Sequence, residues 1–319
     1  MNTKYIPILF FLFVLPTISW AQENTFALSN RVLGANNPSF FGFNNESEVS
    51  LLHKTQSVND AKLQSSFLSV SKYFPNNNFS LALSVFREDF GIASYSRSKA
   101  NLSFIYQVTI NDDWKAYPSI SAGFVNNSFD YGSLIFGDQL NLYSNILGIT
   151  NETFEDNQMV RFYPDYSTGI MVNNKSLFFG LAISHINKPK QFIGQDLKQD
   201  IGLSTQIGYE LDINGSSLFL YSSLSKVGSQ NRFMFSQDFT ISSFSLGVFE
   251  TISKSGNAKS SNTIGGMFRV QLRKFELTSS YSYGLDKMLS TNSIEVGLIY
   301  NFNPDKLETE GYNKRFYLD

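Results

Sequence analysis

The sequence predicts an all-β protein, a transmembrane antiparallel up-and-down β-barrel of about 14 strands, and three observations carry that prediction. Apolar residues alternate with small polar ones at a period of two from about residue 48 to residue 302, and a helical period is nowhere sustained. After the first two dozen residues no apolar stretch reaches the ~18 residues of a spanning helix, yet aromatic residues make up 15% of the chain and charged ones only 16%. The links between alternating segments switch between short and long, as barrel turns and loops do at the two rims.

Taken in chain order, Lys4, the apolar run from Tyr5 to Leu15 and the small residues of Ser19-Trp20-Ala21 read as an export signal over residues 1–21, with Gln22 as the first mature residue. The chain has no cysteine, which excludes lipidation there, disulfides, thiolate metal sites and a cysteine nucleophile. Residues 22–47 are expected to be a periplasmic N-terminal lead-in. Strands follow at 48–56, 63–72, 78–86, 100–108, 117–125, 165–172, 177–184, 199–210, 216–225, 231–239, 242–252, 262–272, 274–284 and 292–302. Among the clearest are Phe79/Leu81/Leu83/Val85, Leu102/Phe104/Tyr106/Val108, Phe244/Leu246/Val248 and Ile294/Val296/Leu298/Tyr300/Phe302. The residues between are largely Ser, Gly, Asn, Gln and Thr, which suit a wet lumen better than a packed core.

Short links such as Asn173-Asn174-Lys175-Ser176 and Asp212-Ile213-Asn214-Gly215 follow even strands, whereas Arg87–Lys99, Asn126–Pro164 and His185–Lys198 follow odd ones. That alternation puts the long segments outside the cell and both termini in the periplasm. The stretch from Asn126 to Pro164 carries Leu134, Ile135, Phe136, Leu140 and Leu142 and is expected to be a long extracellular loop folded as a cap or plug. The charged residues 303–319 are expected to be a periplasmic C-terminal tail.

Little of this composition supports catalysis. The two histidines, His53 and His185, leave a triad or a metal site little to draw on, and no Gly-x-Ser-x-Gly elbow occurs. A barrel esterase would need one of them to face a serine of the wall. Glu152, Glu155, Asp156 and Asp165 lack calcium-loop spacing, and Gly265-Gly266 lacks the Gly-Lys-Ser/Thr of a phosphate loop. Arg87, Glu88 and Asp89 look like a solvated charged rim. A net charge of -2 gives no sign of a nucleic-acid partner. The expectation is therefore no catalytic residue, no metal, no cofactor and no nucleic acid.

Five local signatures, in order, resemble the PorP/SprF outer-membrane proteins of the type IX secretion system. They are Asn37-Pro38-Ser39-Phe40-Phe41-Gly42, Phe136-Gly137-Asp138-Gln139, Pro164-Asp165-Tyr166-Ser167-Thr168-Gly169, Ser184-His185-x-x-x-Pro189, and Ser280-Tyr281-Ser282-Tyr283-Gly284-Leu285. Departures include Ser39 where alanine is usual. The resemblance implies a non-enzymatic outer-membrane protein that supports secretion or surface attachment of secreted proteins, such as gliding adhesins. Its implied partners are outer-membrane lipid, the secreted protein, and type IX machinery in the periplasm or outer membrane. Interaction surfaces are expected at Phe136, Asp138, Gln139 and His185 on the extracellular side, and at Asn37, Pro38 and Gly42 in the periplasmic lead-in. The rival reading is a transporter or pore for small or hydrophobic solutes, which would want a charge ring that the inward Ser, Gly and Asn positions do not provide.

Overall fold

Successive side chains of a strand point to opposite faces, so an apolar residue at every second position gives the strand one face for lipid and one for the lumen. In the computed structural model, which describes residues 26–43, 47–58, 61–91, 95–130, 139, 158–190, 198–256, 260–285 and 291–302, this pattern closes into a ring. The strands are β1 (Glu48–Val58), β2 (Ala61–Phe74), β3 (Phe79–Phe90), β4 (Tyr95–Tyr106), β5 (Val108–Thr109), β6 (Lys115–Asp130), β7 (Gln158–Asn173) and β8 (Leu177–Ser184). Then come β9 (Gly202–Ile213), β10 (Ser216–Val227), β11 (Gln230–Ile241), β12 (Phe244–Ser255), β13 (Ser261–Leu272), β14 (Phe275–Gly284) and β15 (Thr291–Asn301). Each strand pairs antiparallel with its neighbour, β1 pairs with β15, and β4 pairs with β6. Because β5 has two residues and pairs only with β6, the wall itself has 14 strands.

The fourteen expected strands are all present, and most run further than expected. β3 and β4 continue through Arg87, Glu88 and Asp89, leaving a short link where Arg87–Lys99 was expected. The alternation survives in those charged residues: Arg87 and Asp89 face outward and pair at 2.7 Å, while Glu88 is buried in the lumen. The Arg87 and Asp89 side chains thus lie exposed near the end of β3, whereas the solvated-rim reading is corrected for Glu88. Likewise Pro164 lies inside β7, not at its start, so the Asn126–Pro164 link narrows to the residues between Asp130 and Gln158.

Outward positions carry the lipid face. Leu81, Leu83, Val85, Leu102, Leu246, Ile294 and Val296 are all exposed. Near the rim that carries both barrel ends, packed aromatics form part of a girdle, with the stacked Phe74–Phe79 rings 4.7 Å apart and the tilted Phe275–Tyr300 rings 4.9 Å apart.

The lumen is not a simple polar wall. Beside the expected small polar residues, Phe67, Tyr117, Met171, Phe178, Phe219, Tyr221, Met234 and Phe249 all point inward and are buried. These side chains are dry because residues 26–43, the segment expected as a lead-in ahead of the barrel, lie inside it. Three 3-10 turns, Ala27–Asn30, Leu33–Ala35 and Pro38–Phe40, fold the segment into a plug, and Phe26, Leu28, Val32, Phe40 and Phe41 complete one hydrophobic cluster with the wall. Each such side chain contributes roughly 1.5–3 kcal/mol on burial, so the plug and the inward aromatics stabilise each other. The signal segment 1–21, the tail 303–319, and Phe136 and Asp138 lie outside the described residues.

Close approach makes glycine necessary at two wall positions. A Cβ on Gly180 would stand 2.8 Å from the Phe40 ring, and one on Gly169 would stand 2.6 Å from Asn37 Oδ1. Gly180→Val is expected to leave the barrel assembled, with its usual heat-modifiable gel migration, but to make residues 26–43 cleavable by protease. Unchanged protection of that segment would show that seating of the plug does not depend on this contact.

Candidate functional site

Plug and wall meet through polar contacts set around the hydrophobic cluster. The first N–H groups of a helical turn have no partner within it, and Glu295 on β15 supplies one: its two carboxylate oxygens accept from the Ala27 and Leu28 N–H groups, each at 2.9 Å. Lys54 lies 3.7 Å from the same carboxylate. Arg31 forks onto Glu276 of β14, donating from Nε at 2.8 Å and from Nη2 at 2.6 Å, a geometry that fixes orientation as well as charge. Asn30 donates to Asp238 on β11 at 2.9 Å.

The first signature motif is the seat of the plug. Asn37 is fully buried; its Oδ1 accepts the Ser39 N–H at 3.0 Å and its Nδ2 donates to Gln206 at 3.0 Å. Ser39 and Ser119 share a hydroxyl hydrogen bond of 2.8 Å. Pro38 begins the 3-10 turn, where a missing N–H costs nothing, and Gly42 turns the chain out at φ 75, a conformation that favours glycine.

Two further motifs come together at the long-loop end of β7 and β8. Asp165 is fully buried, accepts from Lys99 Nζ at 2.5 Å and bonds His185 Nδ1 at 2.8 Å. His185 is itself buried, with φ 57, and its carbonyl accepts the Lys188 N–H at 2.9 Å, so the ring pins the first turn of the β8–β9 loop to the wall. Four residues past Asp165, Gly169 leaves the room that Asn37 and Ser39 occupy. Thus the motifs at 37–42, 164–169 and 184–189 form one unit. The motif at 280–285 stands apart on β14, with Ser280 and Ser282 inward and Tyr281 and Tyr283 outward. Of the Phe136–Gln139 motif only Gln139 is described, and it is half-buried.

Above the plug, on its long-loop side, lies a cavity of about 230 Å³ floored by Asn37, Pro38 and Phe41 and walled by Glu88, Arg97, Lys99 and Arg232 among serine hydroxyls. Among the described residues no group of three or more His, Asp or Glu side chains is placed to hold a metal ion. His53, on the outer face, has Nδ1 2.9 Å from Ser66 Oγ and Nε2 3.4 Å from Thr55 Oγ1, and among the described residues no carboxylate orients it. Hydroxyl partners on both nitrogens leave that pair without the acid of a triad. Sequence reasoning missed Lys99, Glu276, Glu295 and Arg31. A signal for two of them was present, since Glu276 sits between Phe275 and Leu277, and Glu295 between Ile294 and Val296, in phase with the lumen.

A closed antiparallel barrel with a lipid-facing apolar band and a plugged polar-and-aromatic interior defines an outer-membrane β-barrel protein. The model of the family described as type IX secretion system membrane protein PorP/SprF matches residues 22–300, and the chain belongs to that family. A comparison with curated proteins returned no match. Among solved structures, the TodX deltaS2S3 mutant, a monoaromatic hydrocarbon channel, has a TM-score of 0.52 at 10% identity over 89% of this chain and 96% of that one. The Pseudomonas putida toluene transporter TodX has a TM-score of 0.45 at 9% identity, covering 89% of this chain and 94% of that one. The Acinetobacter baumannii outer membrane protein Omp33 has a TM-score of 0.46 at 7% identity, covering 81% and 99%. The first of these likenesses shows the barrel fold and no more.

Removing one partner of a buried ion pair strands the other. Asp165→Asn is expected to cost about 3–5 kcal/mol and to loosen the β8–β9 loop, whereas the double change Lys99→Met with Asp165→Asn is expected to recover most of the loss. Urea unfolding of the detergent-solubilised protein checks both, and equal losses in the single and double variants would rule out a paired origin.

Proposed function

We propose that the protein serves type IX secretion as a plugged, non-enzymatic barrel that holds secreted proteins, gliding adhesins among them, at the cell surface. The observation that carries this reading is the filled lumen. With residues 26–43 built into the hydrophobic cluster and tied to Glu295, Glu276, Gln206 and Ser119, the interior serves as a rigid support, and the rims remain for partners. The long-loop end faces outward and meets cargo, with Phe136, Asp138 and Gln139 on its largest loop and His185 holding the neighbouring one in place. The end that carries residues 48 and 301 faces the periplasm and the secretion machinery. Asn37, Pro38 and Gly42 then act from within, as the seat of the plug. The signal segment 1–21 is removed on export, and the tail 303–319 extends into the periplasm.

Deleting the gene in its host is expected to release one or a few surface proteins into the medium while other secretion continues, measured by mass spectrometry of cell-surface and medium fractions. An unchanged protein set with altered small-solute uptake would replace this reading with a transporter. Purified protein in planar bilayers is expected to show no conductance steps, and well-resolved open-channel currents from the intact chain would count against a plugged support.

A further inference from the structure

Among the described residues, one edge of the wall has no partner strand. β6 and β7 pair without a bulge from Lys115↔Asn173 to Asp130↔Gln158, and β6 is held on its other side by β4 up to Tyr95↔Phe129. β8 is much shorter: its ladder with β7 runs only from Thr168↔Ile183 to Asn173↔Phe178. Above that point, the Tyr166 carbonyl accepts the Ile186 N–H at 3.1 Å, the Tyr166 N–H donates to Asn187 at 3.3 Å, and the Pro164 carbonyl accepts from Asn187 Nδ2 at 2.8 Å. Beyond Pro164, among the described residues, nothing bonds the backbone of β7 on this side.

Strand geometry says which groups these are. The N–H and C=O of one residue point to the same side, and the side alternates along the strand. Pro164 and Tyr166 use the side away from β6, so Phe162 and Val160 present their N–H and C=O that way too, while Arg161 and Tyr163 serve the ladder to β6. Pro164 fits the same scheme. A proline inside a sheet is tolerated where its missing N–H would face an open edge, and this one costs the β6 ladder nothing. Phe162 is 63% exposed and stacks on Phe124 with ring centroids 5.0 Å apart, so an apolar row already runs across the sheet to this edge.

An unpaired row of strand donors and acceptors selects one kind of ligand, another extended chain. We propose that the β7 edge at residues 158–163 is a docking site for an extended strand of a secreted protein, added beside β7 above the end of β8. This rests on the reading of the protein as a surface anchor, because the edge lies at the long-loop end. The partner strand carries no proline where it meets Val160 and Phe162. It places a β-branched or aromatic residue beside Phe162, where cross-strand packing continues the Phe124–Phe162 row.

Proline at position 162 separates backbone from side chain. Phe162→Pro removes the N–H that points away from β6 and puts ring carbons in its place while sparing the β6 ladder, whereas Phe162→Ala keeps the N–H. In the native host, Phe162→Pro is expected to lower surface retention of the anchored protein about tenfold, with Phe162→Ala close to the unaltered protein. A photo-cross-linking phenylalanine at position 162 of the otherwise native chain is expected to join an extended segment of the secreted protein, identified by mass spectrometry. Adducts confined to this chain's own loops or to a second copy would overturn the proposal, as would retention unaffected by Phe162→Pro. Should Phe162→Pro fail to assemble, as judged by heat-modifiable migration, the cross-link decides alone. A gene deletion that leaves the surface proteins unchanged sinks the anchoring reading itself, whereas an effective deletion beside an ineffective Phe162→Pro sinks only the strand-docking site.

Discussion

Up to the end of β8 the closed barrel satisfies the backbone of its wall around the ring, and the constraint on which the rest depends is its interior. Inward positions must be wetted, paired or packed. Here they are packed in the middle and paired around it, and the material that does this is the chain's own segment 26–43. Phe178, Phe219, Tyr221 and Phe249 would be poor linings for water, and the plug residues Leu28, Val32, Phe40 and Phe41 would be poor residues for a free segment. Each set makes the other tolerable.

The charged groups follow from the same constraint. Glu295, Glu276, Lys54, Arg269 and Asp165 are all buried, and each is set against an opposite charge or a backbone dipole. In a dry interior such pairs contribute little net stability compared with apolar packing, but they are intolerant of alternatives. A plug rotated by one residue would leave Arg31 without Glu276 and the Ala27 turn without its cap. The hydrophobic cluster therefore supplies the cohesion of the interior, and the polar contacts select one arrangement within it. At the long-loop rim, Lys99, Asp165 and His185 do the same for the loop after β8.

Much of the barrel was legible in the sequence. The fourteen strands, their antiparallel order and the lipid-facing residues follow from a period of two, because the membrane enforces that period on one face of every strand. The ends of β3, β4, β6 and β7 were not legible, since charged residues such as Arg87 and Glu88 resemble a rim until the wetness of both faces there is known. The motif residues Asn37, Asp165 and His185 were picked out by resemblance, but their roles as seat and staple were invisible in the linear text.

By itself, then, the sequence determined the wall: alternation specifies which residues meet lipid, and short turns specify which strands are neighbours. Only the tertiary structure decided what fills the wall. The contacts Arg31–Glu276, Asn37–Gln206 and Ala27–Glu295 join residues 245, 169 and 268 positions apart, and no local periodicity encodes a contact across such distances. The unequal lengths of β7 and β8, which among the described residues leave the end of β7 paired on one side, likewise emerge only when the strands are laid side by side.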